Sequence, residues 1–446
     1  MNKNIIIFIV VALFISGISI GLMQGRIGPE MLVRISFGFI ALSSVFFSRG
    51  ILIFLTILCL ILGQSRFPSL YSASLWLRWV FFALFCLHIF GDIFLGRTVR
   101  RIKFFDVLAI FFIIYAFLSV SYSPFPQLTL ERSTTILVLY LSVFWIIWKY
   151  AFDYGPEKVC RIILQVAGCV YIAGFLLIFI GSYRPFLLGR FTGIFYNPNG
   201  LGVISALILP LAFWRYLETK SSPALFLFIL ILLSLFFSGA RGSLNAAAIS
   251  LGYLIYVRSK RNKPLVLFFS ISVIFTLIWA VEALVKTAFR AYFRVESLSI
   301  LGGRLEVWPI ALNLIMKKPL FGYSFGVEDK IISLYKITLY KHSGTYMHNC
   351  YLGIALQLGL IGLFLLFIPL FMLLFKELFS KQDASVPILR YALRSSLIAG
   401  LICCIYETYV YSAGNAQAFP FWIIVMLLVY YRYQDKNKEK IMSDAT

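Results

Sequence analysis

Three histidines occur in this 446-residue chain. One of them, His348, stands where a polar loop meets an apolar run of membrane length. The stretch reads Met347-His348-Asn349-Cys350-Tyr351, and nine residues after His348-Asn349 comes Gly359-Leu360-Ile361-Gly362. An imidazole with an ordinary pKa of about 6.5 is the natural acceptor for a hydroxyl proton at neutral pH. If a helix starts at Asn349, His348 lies at the bilayer surface, and Gly359 and Gly362 lie about 15–20 Å deeper, where they form a notch for a neighbouring helix. By position alone, an interfacial histidine is more often structural than catalytic.

Arginine supplies the second chemical signal. Arg190 precedes Phe-Thr-Gly193 and the turn Asn197-Pro198-Asn199-Gly200; Arg241 sits in Ser238-Gly-Ala-Arg-Gly-Ser243; Arg304 follows Gly302-Gly303 and precedes Trp308. A guanidinium fork suits phosphate oxygens better than a lysine point charge does. A helix opening near Asn199 would add free N–H groups and the positive end of its dipole. Each motif also has a plainer reading. Asn-Pro-Asn-Gly is good turn chemistry, Arg241 could pair with a carboxylate such as Glu282 or Glu407, and paired glycines before Arg304 are a weak signal alone. For Arg26, Arg34, Arg66 and Arg78, snorkelling at the membrane edge suffices.

The elements that must position these residues are membrane helices. Hydrophobic residues make up 61% of the chain and charged residues 13%, with a mean hydropathy of +0.92, against about 45–50% and about 25% in soluble domains. Apolar runs suit a hydrocarbon core of about 30 Å, and continuous runs exclude the alternating strands of a barrel. The chain therefore reads as an all-α polytopic integral membrane protein with about 12–14 transmembrane helices. The expected spans are 5–22, 33–47, 50–63, 74–95, 105–121, 133–151, 161–182, 200–217, 223–237, 243–258, 264–286, 349–375, 390–411 and 416–432. The second and third could be one re-entrant pair, and 5–22 reads as an uncleaved first span.

The formal net charge of +22 reflects basic residues at span ends, which argues for lipid headgroups and against nucleic acid. Lysine and arginine collect on one side, the cytoplasmic one by the positive-inside rule. The opposite face then receives 24–32, 64–73, 122–132, 183–199, 238–242, 412–415 and a large loop, 287–348. This loop, rich in aromatics, is expected to contain short helices, one of them over 305–316. Seven cysteines show no metal-ligand spacing, and no cofactor is expected. The whole chain, 1–446, reads as a single membrane domain. Asp92 and Glu407 inside spans leave a proton-coupled transporter open, although no inverted repeat is visible.

Taken together, these segments resemble the O-antigen ligase and O-antigen polymerase superfamily, which includes bacterial protein O-oligosaccharyltransferases. The resemblance rests on His348-Asn349, nine residues, Gly359-Leu360-Ile361-Gly362. Supporting it in order are Ser121-x-Ser123-Pro124, Arg190-Phe-Thr-Gly193 with Asn197-Pro198-Asn199, Ser238-Gly-Ala-Arg241-Gly242, Gly303-Arg304-x-x-x-Trp308 and Pro319-Leu-Phe-Gly322, covering about residues 120–365.

The resemblance implies a GT-C-like, metal-independent, inverting glycosyltransferase in the bacterial cytoplasmic (inner) membrane. It would move a glycan from an undecaprenyl-diphosphate carrier to a hydroxyl acceptor at the periplasmic face, for surface polysaccharide or O-antigen assembly. His348 would take the acceptor proton, with Glu296 and Glu306 as alternatives. Arg241 and Arg304 would stabilise the leaving diphosphate with Arg190 as a third contact. Asn197, Asn199, Asn349 and Trp308 would line the donor and glycan site, and Gly359 and Gly362 would support packing.

The acceptor would be a glycan on the same carrier (a polymerase), lipid A-core (a ligase) or a protein. The sequence leans slightly to the polymerase, and a 446-residue length without an appended soluble domain weighs against a protein acceptor. The competitor from another class is a flippase or exporter of the same lipid-linked sugar.

Overall fold

The computed structural model describes residues 49–96, 102–180, 185–259, 304–335, 347–380, 386–412 and 414–444. Expected spans 5–22, 33–47 and 264–286, His342, Glu296 and the side chain of Glu306 lie outside what is described. Within it the protein is a helical bundle: α1 (Arg49–Leu62), α2 (Pro68–Phe94), α3 (Phe104–Leu118), α4 (Pro126–Tyr154, with a π-helical turn at Ser142–Ile147), α5 (Pro156–Leu176), α6 (Pro198–Thr219), α7 (Ser222–Phe237) and α8 (Arg241–Arg258). Then come α9 (Arg304–Lys317), α10 (Glu328–Leu334), α11 (Cys350–Leu378), α12 (Ile388–Tyr406) and α13 (Ala418–Asp444). A two-residue hairpin, β1 (Phe186–Leu187) with β2 (Arg190–Phe191), precedes α6.

Seven of these helices are long and apolar enough to cross a membrane. The chain is a multi-pass membrane protein of the all-α class, as the hydropathy pattern predicts. Four of the helices, α2, α4, α5 and α6, open on proline, whose fixed φ and missing N–H cost nothing in a first turn. The core is the bundle interior, where α6 and α12 are the most enclosed of the spans. The short helix expected over 305–316 is α9.

The two ends of the bundle differ chemically. At one end Arg49 grips Asp92 through two bonds of 2.7 and 2.8 Å, and buried Glu377 accepts from Arg390 and Arg394. At the other, a length of α1 away, the loop after α1 crosses to the loop before α6: Tyr196 N–H donates to the Gln64 carbonyl, and Arg66 N–H to that of Ile194. This second end carries the polar motifs. Asp92 and Glu407 therefore sit at opposite ends, and neither is the isolated mid-span acid that proton-coupled transport uses.

Two departures from the sequence reading shape this end. The span expected over 390–411 stops at Tyr406; Glu407 is extended, at φ −144° and ψ 150°. No glycine or proline marks the stop, which follows from the contacts of Glu407 itself. Second, α11 is broken at Gly359, whose φ of 63° and ψ of −165° are not helical. What enters the resulting gap is not another helix but the segment 319–324. Leu360 N–H donates to the Pro319 carbonyl, while Tyr323 and Ser324 N–H donate to the carbonyls of Leu356 and Gln357. A Cβ on Gly359 would lie 2.2 Å from the Leu320 carbonyl oxygen, and one on Gly322 would lie 2.5 Å from that of Gln357. Backbone meets backbone here, so both positions require glycine.

Candidate active site

Asn349 caps α11, its side-chain oxygen accepting from the N–H groups of Tyr351 and Leu352. The helix therefore starts where the sequence places it, and His348 is the residue just before the cap. His348 adopts a left-handed conformation, φ 48°, unusual for a residue with a side chain. Its neighbours hold it there. Met347 donates its N–H to Glu328 Oε1 at 2.7 Å and accepts from Trp308 Nε1 at 3.0 Å, while Asn349 N–H donates to Thr408 Oγ1 at 3.2 Å.

With its backbone fixed, the imidazole meets Glu407: Nδ1 lies 3.0 Å from Oε2. The other carboxylate oxygen accepts from Arg304 Nη2 at 3.1 Å and from Asn199 Nδ2 at 2.9 Å. Arg304 also donates to the Tyr406 carbonyl at 2.7 Å, the last carbonyl of α12 and a natural place for a cation. Asn199 in turn accepts from Arg190 Nη2 at 2.6 Å, and Arg190 Nε donates to the Ser238 carbonyl at 2.6 Å. Glu407 is thus the point on which three separate motifs converge. It is only about one-sixth exposed, so its charge is worth more to its partners than it would be in water.

The remaining motif residues take different places. Arg190 is buried and braces the turn before α8 against the start of α6, where Gly239 leaves room for its stem. Arg241 is the first residue of α8. Gly242 beside it lies so close to Tyr406 that a Cβ would be 2.5 Å from the ring, which packs the start of α8 against the end of α12. Asn197 caps α6 by accepting from Asn199 N–H at 2.9 Å and lines the cavity described below. Trp308 spends its indole N–H on Met347, steadying the approach to His348. Gly362 lies against the Leu358 side chain, which the break at Gly359 swings towards it.

A cavity of about 390 Å³ opens beside the His348–Glu407 pair. Its walls include Gln64, Asn415 and Gln417, which hydrogen-bond to one another. Arg78, Arg132 and Glu328 also line it. Arg132 binds Asp329 at 2.7 Å and the Gly326 carbonyl. Glu328 is buried and receives the hydroxyl of Tyr411 at 2.6 Å and Gln357 Nε2 at 3.1 Å. Burial pushes the Glu328 carboxyl above its ordinary pKa, against the opposing pull of Tyr411 and Met347. Sequence reasoning missed Glu328 and gave Glu407 another role. The available signal for Glu407 was a lone acid near the outer end of an apolar run.

The order of the motifs and the geometry that joins them can be compared with known proteins. A profile described as O-Antigen ligase matches residues 226–367, the stretch that carries Arg241, Arg304, His348, Gly359 and Gly362. Over that segment the chain is similar to the O-antigen ligases. Over 220 residues the chain is also 29% identical to the ComP-specific O-oligosaccharyltransferase of Acinetobacter baylyi (strain ATCC 33305 / BD413 / ADP1). That alignment covers 46% of this chain and 39% of the relative, so the chain spans about two-fifths of the curated protein it matches. The O-antigen ligase segment ends before Glu407 and begins after Arg190 and Asn199, yet these three residues complete the polar site.

Proposed function

We propose that the chain transfers a glycan from an undecaprenyl-diphosphate carrier to a hydroxyl acceptor, inverting the anomeric centre without a metal ion, at the periplasmic face of the inner membrane. The observation that carries this reading is the Glu407 carboxylate, which joins His348 to Arg304 and, through Asn199, to Arg190. With Nδ1 donating to Glu407, the imidazole presents Nε2 as a base, and the carboxylate stabilises the imidazolium that forms. The acceptor oxygen attacks the anomeric carbon as its proton passes to Nε2. The bond from that carbon to the diphosphate oxygen breaks with inversion, and undecaprenyl diphosphate departs carrying the electron pair. Negative charge grows on the leaving diphosphate, and the guanidinium groups of Arg241 and Arg304 are suited to stabilising it.

Among acceptors, a glycan on the same carrier is the favoured reading, because an amide-lined cavity of this size suits a sugar ring. A protein acceptor is the second reading, favoured by the relative named as an O-oligosaccharyltransferase. The test is a reconstituted assay with a lipid-linked donor, following both product and undecaprenyl diphosphate. Wild type should release the carrier in step with product, and His348→Gln should abolish both. Full activity of purified His348→Gln removes the base assignment, and carrier retained by wild type points to a flippase or exporter.

A further inference from the structure

We propose that the cavity beside the His348–Glu407 pair is the acceptor subsite and that it takes a sugar bearing an anionic group, with Arg78 as the counter-charge. This deepens the glycosyl-transfer reading above and rests on it. Arg78 lies ten residues into α2, inside a helix long and apolar enough to cross a membrane, where an uncompensated guanidinium is costly and marks a substrate path. Its group stacks over Trp79, 5.4 Å from the ring centroid, and lies under Gly414, where an added Cβ would be 2.4 Å from Nη1. Its Nε is buried without a hydrogen-bond partner, and among the described residues no carboxylate pairs with it.

The two carboxylates in the cavity wall are already committed. Glu407 serves His348, Arg304 and Asn199, and Glu328 serves Met347, Tyr411 and Gln357. Arg132, the other arginine of the wall, is held by Asp329. One positive charge is therefore left for whatever enters, and its planar fork fits a carboxylate or a phosphate. The donor's diphosphate is the weaker occupant, since Arg190, Arg241 and Arg304 do not line this cavity. The amides of Gln64, Asn415 and Gln417 provide donors and acceptors for ring hydroxyls, and Trp79 offers an apolar face.

Binding to the full chain in nanodiscs tests this without requiring turnover. The probes are a uronic-acid disaccharide, its carboxyl-reduced counterpart, a hexose phosphate and undecaprenyl diphosphate. Wild type should bind one of the two anionic sugars about tenfold or more tightly than the neutral one, and which of them it prefers separates carboxylate from phosphate. Arg78→Gln should erase the preference and Arg78→Lys should retain part of it. Should Arg78→Gln fail to fold, Gly414→Ala pushes a methyl group onto the guanidinium and should reduce the same preference. Equal binding of acidic and neutral sugars overturns the proposal, as does a preference that survives Arg78→Gln. So does a loss confined to undecaprenyl diphosphate, which would assign Arg78 to the donor. Failure of the transfer reading itself would appear elsewhere, as carrier that wild type never releases.

Discussion

His348 Nδ1 and Glu407 Oε2 lie 3.0 Å apart although 59 residues separate them in the chain. The pairing commits Nδ1 of the imidazole to the first residue beyond α12, which stops at Tyr406 instead of running on through an apolar sequence.

Glu407→Gln keeps the size of the side chain but removes the charge that steadies an imidazolium. Turnover should fall by roughly 10²- to 10⁴-fold, with a smaller change in donor KM, and Glu407→Asp should recover part of the loss. Steady-state kinetics across pH on purified protein is the measurement. Turnover within twofold of wild type would remove Glu407 from the mechanism.

Arg304 donates in two directions, to the Tyr406 carbonyl and to Glu407. A lysine cannot reproduce that fork. Arg304→Lys should therefore raise donor KM and lower kcat together, by about tenfold or more in kcat/KM, and Arg241→Lys should chiefly weaken donor engagement. Donor titrations at saturating acceptor separate the two.

Gly359→Ala places a methyl group against the Leu320 carbonyl at a residue with φ of 63°. The expected cost is about 2–4 kcal/mol, visible as a lower thermal midpoint in detergent. Unchanged stability would mean that the segment 319–324 is free to move aside.

Glu328 offers a pH test. Its folded pKa lies above the ordinary value of 4.5 because the carboxyl is buried. The folded state then holds more protons than the unfolded one, so stability is full below the ordinary carboxylate range and declines as pH rises through the raised value. Unfolding measured from pH 4 upward should show that decline, and Glu328→Gln should flatten it.

The membrane class and most of the described helix positions were legible in composition and run length. Glu407 was not. Hydropathy sees Ile402-Cys403-Cys404-Ile405-Tyr406-Glu407-Thr408-Tyr409-Val410-Tyr411 as one continuing apolar run, and only contacts with residues 59, 103 and 208 positions away explain why the helix stops. Glu328 escaped for a similar reason, since three distant donors make its burial tolerable. The break at Gly359 was half legible: glycine at that spacing signals close approach, but periodicity cannot say whether a helix or a loop arrives.

The contact of Gly322 with Gln357 and of Gly359 with Leu320 has a consequence for comparing sequences. Pro319-Leu-Phe-Gly322 and the His348-to-Gly362 spacing look like two separate signatures, yet they are the two halves of one backbone interlock. Substitutions at Gly322 and Gly359 should co-vary, and a relative that has lost one half without the other is expected to hold its histidine differently.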